Sequence, residues 1–384
     1  MKLISIASGV KAMLFCLCPI AFGQTQITTV EEFMAISNNE TTLNGDYILM
    51  NDLTLDNWIP IGIYVDKNEN GFSGTFNGNG HTVSINSFGN SSNDSKMGLF
   101  GVIEKTGIVK NIRVAGNVSH TGSSKFLYLG GITGVNYGLI TGCISKIELE
   151  GSVIHDKDNS EKKLKNISGY ELGAIGGCIA GINRGIITNS YSTGSITSEF
   201  YGGGIAGGNG QPVLGGIGIS IGPGGGGVSV TPGVAVVSDI ISYCYSTATV
   251  ISSMSGGITA FNHPTANIYN SVAMNKLIEA KGIIAKASHV ASIGLTYYRS
   301  PNTYYLEDIV VRIYKKGKEE TLKKKPKNGI ALSVTQEESW WHLPENVSKK
   351  DQYTTFGFAF GNEEQSPWVW NSTEKYPILY WEKI

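Results

Sequence analysis

The chain copies itself. Units that open on Gly-Gly before an apolar stretch and close on Gly recur at Gly130-Gly131-Ile132-Thr133-Gly134, Gly176-Gly177-Cys178-Ile179-Ala180-Gly181 and Gly203-Gly204-Ile205-Ala206-Gly207. Weaker copies follow at Gly256-Gly257-Ile258-Thr259-Ala260 and Gly282-Ile283-Ile284-Ala285, and a divergent one precedes them at Gly98-Leu99-Phe100-Gly101. From residue 134 onward, the last small residue of each unit stands at 134, 181, 207, 260 and 285, giving spacings of 47, 26, 53 and 25. The base period is thus close to 26 residues, and the two long spacings hold inserts near 155–170 and 210–237.

A unit this short, with a few apolar strands between glycine turns, cannot bury its faces alone and becomes stable by stacking on its copies. The repeat therefore predicts an all-β chain, a parallel β-helix or β-solenoid, in which equivalent side chains form ladders with rungs about 4.8 Å apart. Composition agrees: glycine supplies 50 of 384 residues and charged residues 16%, against roughly 7% and 25% in ordinary globular chains. Glycine weakens helix interiors but supplies the positive φ of tight turns. With 41% hydrophobic residues and no G-X-Y period, the chain is neither disordered nor collagenous. Cys143, Ser190, Cys244 and Ser271 share one place in successive units and predict one ladder of small residues. Two rungs separate Cys143 from Cys244, about 9 to 10 Å, beyond the roughly 7 Å limit for a disulfide. Cys143, Cys178 and Cys244 are expected to be free core thiols.

Outside the repeats the chain changes character. Lys2 and Lys11, the apolar run 12–20 and Ala21-Phe22-Gly23 read as a cleaved export signal, residues 1–23, too short to span a bilayer. Residues 24–97 read as an N-terminal cap: one short helix, Thr29 to Ile36, with a Thr cap and acidic first turn, then strands divided by Asn/Gly turns. Repeats occupy 98–308, and 309–384 reads as a Trp-rich C-terminal β cap. Its basic stretch, with Lys315, Lys316, Lys318, Lys323, Lys324 and Lys325, predicts an exposed hairpin and supplies the candidate partner contacts. Trp340, Trp341, Trp368, Trp370 and Trp381 are expected to close the end of the stack rather than to bind sugar.

Several pieces together resemble the GLUG-motif proteins, exported bacterial proteins named for a glycine-hydrophobic-x-glycine repeat. They are Trp58-Ile59-Pro60-Ile61-Gly62, Phe72-Ser73-Gly74-Thr75-Phe76-Asn77-Gly78-Asn79-Gly80-His81-Thr82-Val83, the glycine units, Asn189-Ser190-Tyr191-Ser192-Thr193-Gly194, and Trp368-Val369-Trp370 before Tyr376-Pro377-Ile378-Leu379. The Phe72–Val83 piece is the most specific. The resemblance covers most of the chain after residue 23 and implies a parallel β-helix of adhesin-like character. The motif also occurs beside peptidase domains in some immunoglobulin-A-cleaving metallopeptidases. The long glycine-rich unit after Gly207 departs from the family pattern.

The sequence offers little chemistry. A net charge of −1 gives no field to attract nucleic acid. None of the six histidines opens an H-E-x-x-H pair, and no G-x-S-x-G elbow exists. Asp66-Lys67-Asn68-Glu69-Asn70-Gly71 begins like a calcium loop, but its twelfth position is Asn77 rather than glutamate. Glu148 and Glu150 alternate along one strand as solvated residues do. The segment 202–227 holds 14 glycines among 26 residues, without the Gly-Lys-Ser/Thr of a phosphate loop, and predicts a projecting loop. No catalytic, cofactor or metal residues are assigned. The expectation is an exported, secreted or cell-surface scaffold, monomeric and not an enzyme, that binds an extracellular protein or glycan through loops. The alternative is a carbohydrate-active β-helix enzyme, a polysaccharide lyase or hydrolase, which a carboxylate pair beside Arg or Lys in one groove would favour.

Overall fold

The computed structural model describes residues 23–63, 70–89, 95–123, 126–154, 173–210, 239–293, 302–320, 329–333, 337–342 and 356–383. The export signal up to residue 22, the start of the calcium-like loop, both inserts and Lys323, Lys324 and Lys325 lie outside them.

The chain is mostly β. Each unit sends short strands to successive faces, and each strand pairs in parallel with its counterpart one unit on. One face is the sequence-ordered sheet Thr25–Ile27, Tyr47–Leu49, Thr75–Asn77, Ile108–Lys110, Leu139–Thr141, Ile186–Thr188, Ile240–Ser242 and Asn267–Tyr269. On another, Phe100 pairs with Thr133, Thr133 with Ala180, Ala180 with Ala206, and Ala206 with Thr259. The divergent copy at Gly98 therefore pairs in line with the later units, and the spacings 47, 26 and 53 are strand registers.

The last copy is corrected. Thr259 pairs with Ala291, and Met254-Ser255-Gly256 with Lys286-Ala287-Ser288. The marker Ala260 thus finds its successor at Ser292, whose hydroxyl donates to Ala260 O at 2.9 Å. Gly282-Ile283-Ile284-Ala285 forms the turn between Leu277–Lys281 and Lys286–Ser288 instead. Its glycine has φ +126° and Ile283 is 69% exposed. The motif matched in type, but an added turn had displaced the register.

Physical reasons for the repeat lie in its columns. A Cβ on Gly130, Gly177, Gly203 or Gly256 would fall 1.8 to 2.2 Å from the carbonyl oxygen three residues later, so the tight corner before each apolar residue admits only glycine. Cys143, Ser190, Cys244 and Ser271 form the expected ladder, all wholly buried. Ser190 Oγ accepts from Cys143 N at 3.1 Å and Ser271 Oγ from Cys244 N at 3.3 Å. All three thiols are free and buried, and burial pushes each up to about 12. A second ladder was not foreseen. Asn136 Nδ2 donates to Asn183 Oδ1, Asn183 to Asn209 and Asn209 to Asn262, each at 2.8 Å.

At the N-terminal end the expected helix is shorter and joined by a second. Val30–Met34 carries a capping box between Thr29 and Glu32, a 3-10 turn spans Ala35–Ser37, and Glu40–Leu43 follows with its own box between Asn39 and Thr42. Phe33 stacks on Trp58 at 5.1 Å and meets Phe76 and Phe100, carrying the cap into the core. The other end differs from expectation. Instead of lying across the last rung, the tryptophan-rich segment runs back along a flank of the stack: Trp340 packs on Tyr304, Trp341 and Trp368 on Tyr245, and Trp381 beside Gly80 and Arg113.

Candidate functional site

The site is built by that return. At one corner of every unit the backbone turns through positive φ, at Asn111, Gly142, Asn189, Tyr243, Asn270 and Asn302. Asparagine tolerates this region better than other side-chain-bearing residues, which explains its recurrence. Just beyond the corner, Tyr191 and Tyr245 occupy paired positions and stack at 4.6 Å with an 11° interplanar angle. These rings make an aromatic strip on the flank.

Trp368–Asn371 and Tyr376–Leu379 form an antiparallel pair that lies on this strip. Trp368 Nε1 donates to Asn189 Oδ1 at 3.1 Å, and Tyr245 Oη donates to Pro377 O at 2.7 Å. Glu382 ends the segment with its carboxylate held by three donors. It accepts from Tyr191 Oη at 2.8 Å and Leu379 N at 2.9 Å, and pairs with Arg113 Nη2 at 3.3 Å. Arg113 in turn lies 5.2 Å from the Trp381 ring centroid. Burial first, and then the Glu382 charge, drives Tyr191 far above the usual phenol range. Burial does the same to Tyr245, and with the Glu374 charge it pushes Tyr376 up to about 12.

Between the docked pair and the stack runs a groove of about 510 Å³. Its stack wall is a column of equivalent outward residues, Lys146, Thr193 and Thr247, each following the buried Ser145, Ser192 or Ser246. Lys276 stands at the far end. Asn371, Glu374 and Tyr376 form the facing wall, where Tyr376 Oη donates to Glu374 at 3.3 Å. Two carboxylates and three cations thus share one groove. Glu382 is held by three donors; Lys146 and Lys276 have no ion-pair partner among the described residues. The arrangement is equipped to hold a polar ligand.

The hairpin lysines lie elsewhere. Val310–Lys315 pairs antiparallel with Lys318–Glu320 around Lys316-Gly317, both at positive φ, the two-residue turn that suits a hairpin's twist. Lys315 pairs with Glu320 at 2.9 Å, which neutralises it locally. Lys316 edges a shallow hollow of about 390 Å³ with Ile283 and Tyr314; Lys318 is exposed. Glu148 and Glu150 are exposed, and Glu148 accepts from Asn117 Nδ2 at 3.1 Å. Sequence reasoning missed Lys146, Lys276 and Arg113. A signal existed for the first, because the residue after each ladder serine alternates outward and is polar in three successive units.

Comparison with known proteins bears on the fold. No family model matches the chain. A protein of Evansella cellulosilytica named "Putative Gly-rich membrane protein" is 39% identical over 83 residues, 22% of this chain and 9% of that protein's length. The chain therefore matches only a small part of that relative. A crystal structure described as "a putative immunoglobulin A1 protease" from Bacteroides ovatus is 19% identical, with a TM-score of 0.55, covering 93% of this chain and 92% of the other. At that identity the likeness speaks to fold alone. Among the described residues no helix is long and apolar enough to cross a membrane.

Proposed function

We propose that the protein is an exported scaffold of the GLUG type, a parallel β-helix that presents a flank groove and its loops to an extracellular protein or glycan, without catalysis. Residues 1–23 act as a cleaved signal, and the mature chain is secreted or held at the cell surface. One observation carries the reading: a groove of about 510 Å³ is walled by a fixed column of outward side chains on one side and a docked aromatic segment on the other. Parallel pairing fixes the backbone of that wall, and pre-organisation lowers the entropic cost of binding. The in-register parallel pairing across successive units supports the β-helix reading.

A second reading, a carbohydrate-active enzyme, has one observation in its favour: Glu374, Glu382, Arg113, Lys146 and Lys276 line the same groove. Against it, Glu382 is held within the fold by Tyr191, Leu379 and Arg113, contacts that serve to anchor the returning segment. The deciding experiment is a glycan and extracellular-matrix array probed with residues 24–384, with polysaccharide turnover followed in parallel. Binding without turnover is expected. Depolymerisation of any glycan would replace this reading with the second.

A further inference from the structure

The groove's charges can be sorted by what already holds them. Arg113 is matched by Glu382, and Glu374 receives the Tyr376 hydroxyl. Lys146 and Lys276 are the two groove cations with no ion pair among the described residues, and both are exposed. Register sets their separation along the stack. Ser145 pairs with Ser192, Ser192 with Ser246 and Ser246 with Ala273, so Lys146 and the Ala273 unit that carries Lys276 are three rungs apart, or about 14 Å at strand spacing. Between them stand the Thr193 and Thr247 hydroxyls. Across the groove, Tyr376 offers a half-buried ring, with Asn371 beside it to donate and accept.

Read along the groove, the order is cation, hydroxyl, hydroxyl, cation, facing an aromatic ring. Ammonium groups at both ends fit a ligand carrying anions at intervals. Neutral hydroxyls between them fit a ligand that both donates and accepts hydrogen bonds along its length. An acidic peptide would satisfy the first requirement, but its backbone needs an unpaired strand edge to add to, and here the backbone of the wall is already bonded from unit to unit, Thr193 N to Ser145 O and Thr247 N to Ser192 O at 2.9 Å. We propose that this groove binds an extended, carboxylate-bearing glycan, with Lys146 and Lys276 on two uronate groups and the threonines on the hydroxyls between. The proposal rests on the binding-scaffold reading and names its ligand class.

Calorimetric titration of the full chain with oligogalacturonate and with hyaluronan oligosaccharides tests it, using carboxyl-reduced oligogalacturonate as the neutral control. Binding of at least one acidic probe is expected. Its affinity should fall as salt rises, because exposed ion pairs are screened. Carboxyl reduction, or the double variant Lys146→Gln/Lys276→Gln, should weaken binding about tenfold. Glu374→Gln, which removes a carboxylate facing the ligand, should tighten it about twofold. Circular dichroism of the variants confirms that these exposed changes leave the fold intact. The assignment is overturned if neither acidic probe binds, if the reduced probe binds equally well, or if the double variant binds as the parent does. A ligand found on the array whose binding survives the double variant would sink the groove assignment while leaving the scaffold reading in place. Shortened oligosaccharides in the titration cell would sink the scaffold reading itself.

Discussion

At the residue scale the molecule is held by columns. Asn183 sits mid-ladder, donating to Asn209 Oδ1 and accepting from Asn136 Nδ2, and its Oδ1 also receives Gly185 N at 3.3 Å. Asn183→Ala would take the acceptor from Asn136 Nδ2 and Gly185 N and the donor from Asn209 Oδ1, and a buried unpaired polar group costs about 1 to 3 kcal/mol. We expect a loss of about 2 to 3 kcal/mol in urea unfolding, well beyond the effect of an exposed change such as Lys318→Ala, which should stay within about 0.5 kcal/mol. The thiols give a second test. Cys143, Cys178 and Cys244 are buried and held protonated, so none should react with a thiol reagent at pH 8 in the native protein, and all three should react in denaturant. The cysteine ladder was legible because small residues, Cys143, Ser190, Cys244 and Ser271, recurred at one place in successive units. The asparagine ladder was equally periodic, but Asn136-Tyr137-Gly138, Asn183-Arg184-Gly185 and Asn209-Gly210 each read locally as a turn. Only stacking reveals that its amide points inward to its own copy.

Elements depend on where the chain goes between them, and here sequence reading reached less far. Strand-forming units around Gly130, Gly177 and Gly203 were legible from type and spacing together. The unit at Gly282 was legible by type alone, and the structure makes it a turn because the last unit is longer: Ser252 pairs with Ala280, but Met254 pairs with Lys286. The aromatic segment shows the same limit. Its density announced a packed surface, yet no local pattern could specify a flank rather than an end, since the partners Asn189, Tyr191 and Tyr245 lie more than a hundred residues away. Lys146 and Lys276 belong to the groove only because that segment returns there. The docked segment can be tested through Trp368, which is fully buried against Tyr191, Tyr245 and Phe358. Trp368→Ala should cost about 3 to 5 kcal/mol. Limited proteolysis should then cut within 356–383 while the stack resists, and a variant as resistant as the parent would refute the docking.

For the whole molecule, stacking concentrates ionisable groups where they cannot ionise, and this gives the stack a pH limit. Cys143, Cys178 and Cys244 rise from an ordinary 9.0 to about 12, and Tyr191 and Tyr245 rise above their ordinary 10.0. Burial is the main cause in all five. With the native value above the unfolded one, the unfolded chain releases its protons first as pH rises. Their contribution to stability is therefore whole below about pH 9, erodes through the thiols from there, and erodes faster once the phenols join at about pH 10. Each group contributes a slope of about 1.4 kcal/mol per pH unit, so the five together would remove about 7 kcal/mol per unit above pH 10, comparable with the 5 to 15 kcal/mol that stabilises a typical domain. The protein should keep a constant melting temperature from pH 7 to about 8.5 and lose its fold cooperatively between about pH 10 and 11. Phenolate absorbance near 295 nm separates this from surface titration. Exposed tyrosines should titrate smoothly, and the part belonging to Tyr191 and Tyr245 should develop only with the loss of circular dichroism. A melting temperature that holds to pH 11, or phenolate signal complete before unfolding, would show that the tyrosine strip is open to solvent and that the returning segment does not seal the flank.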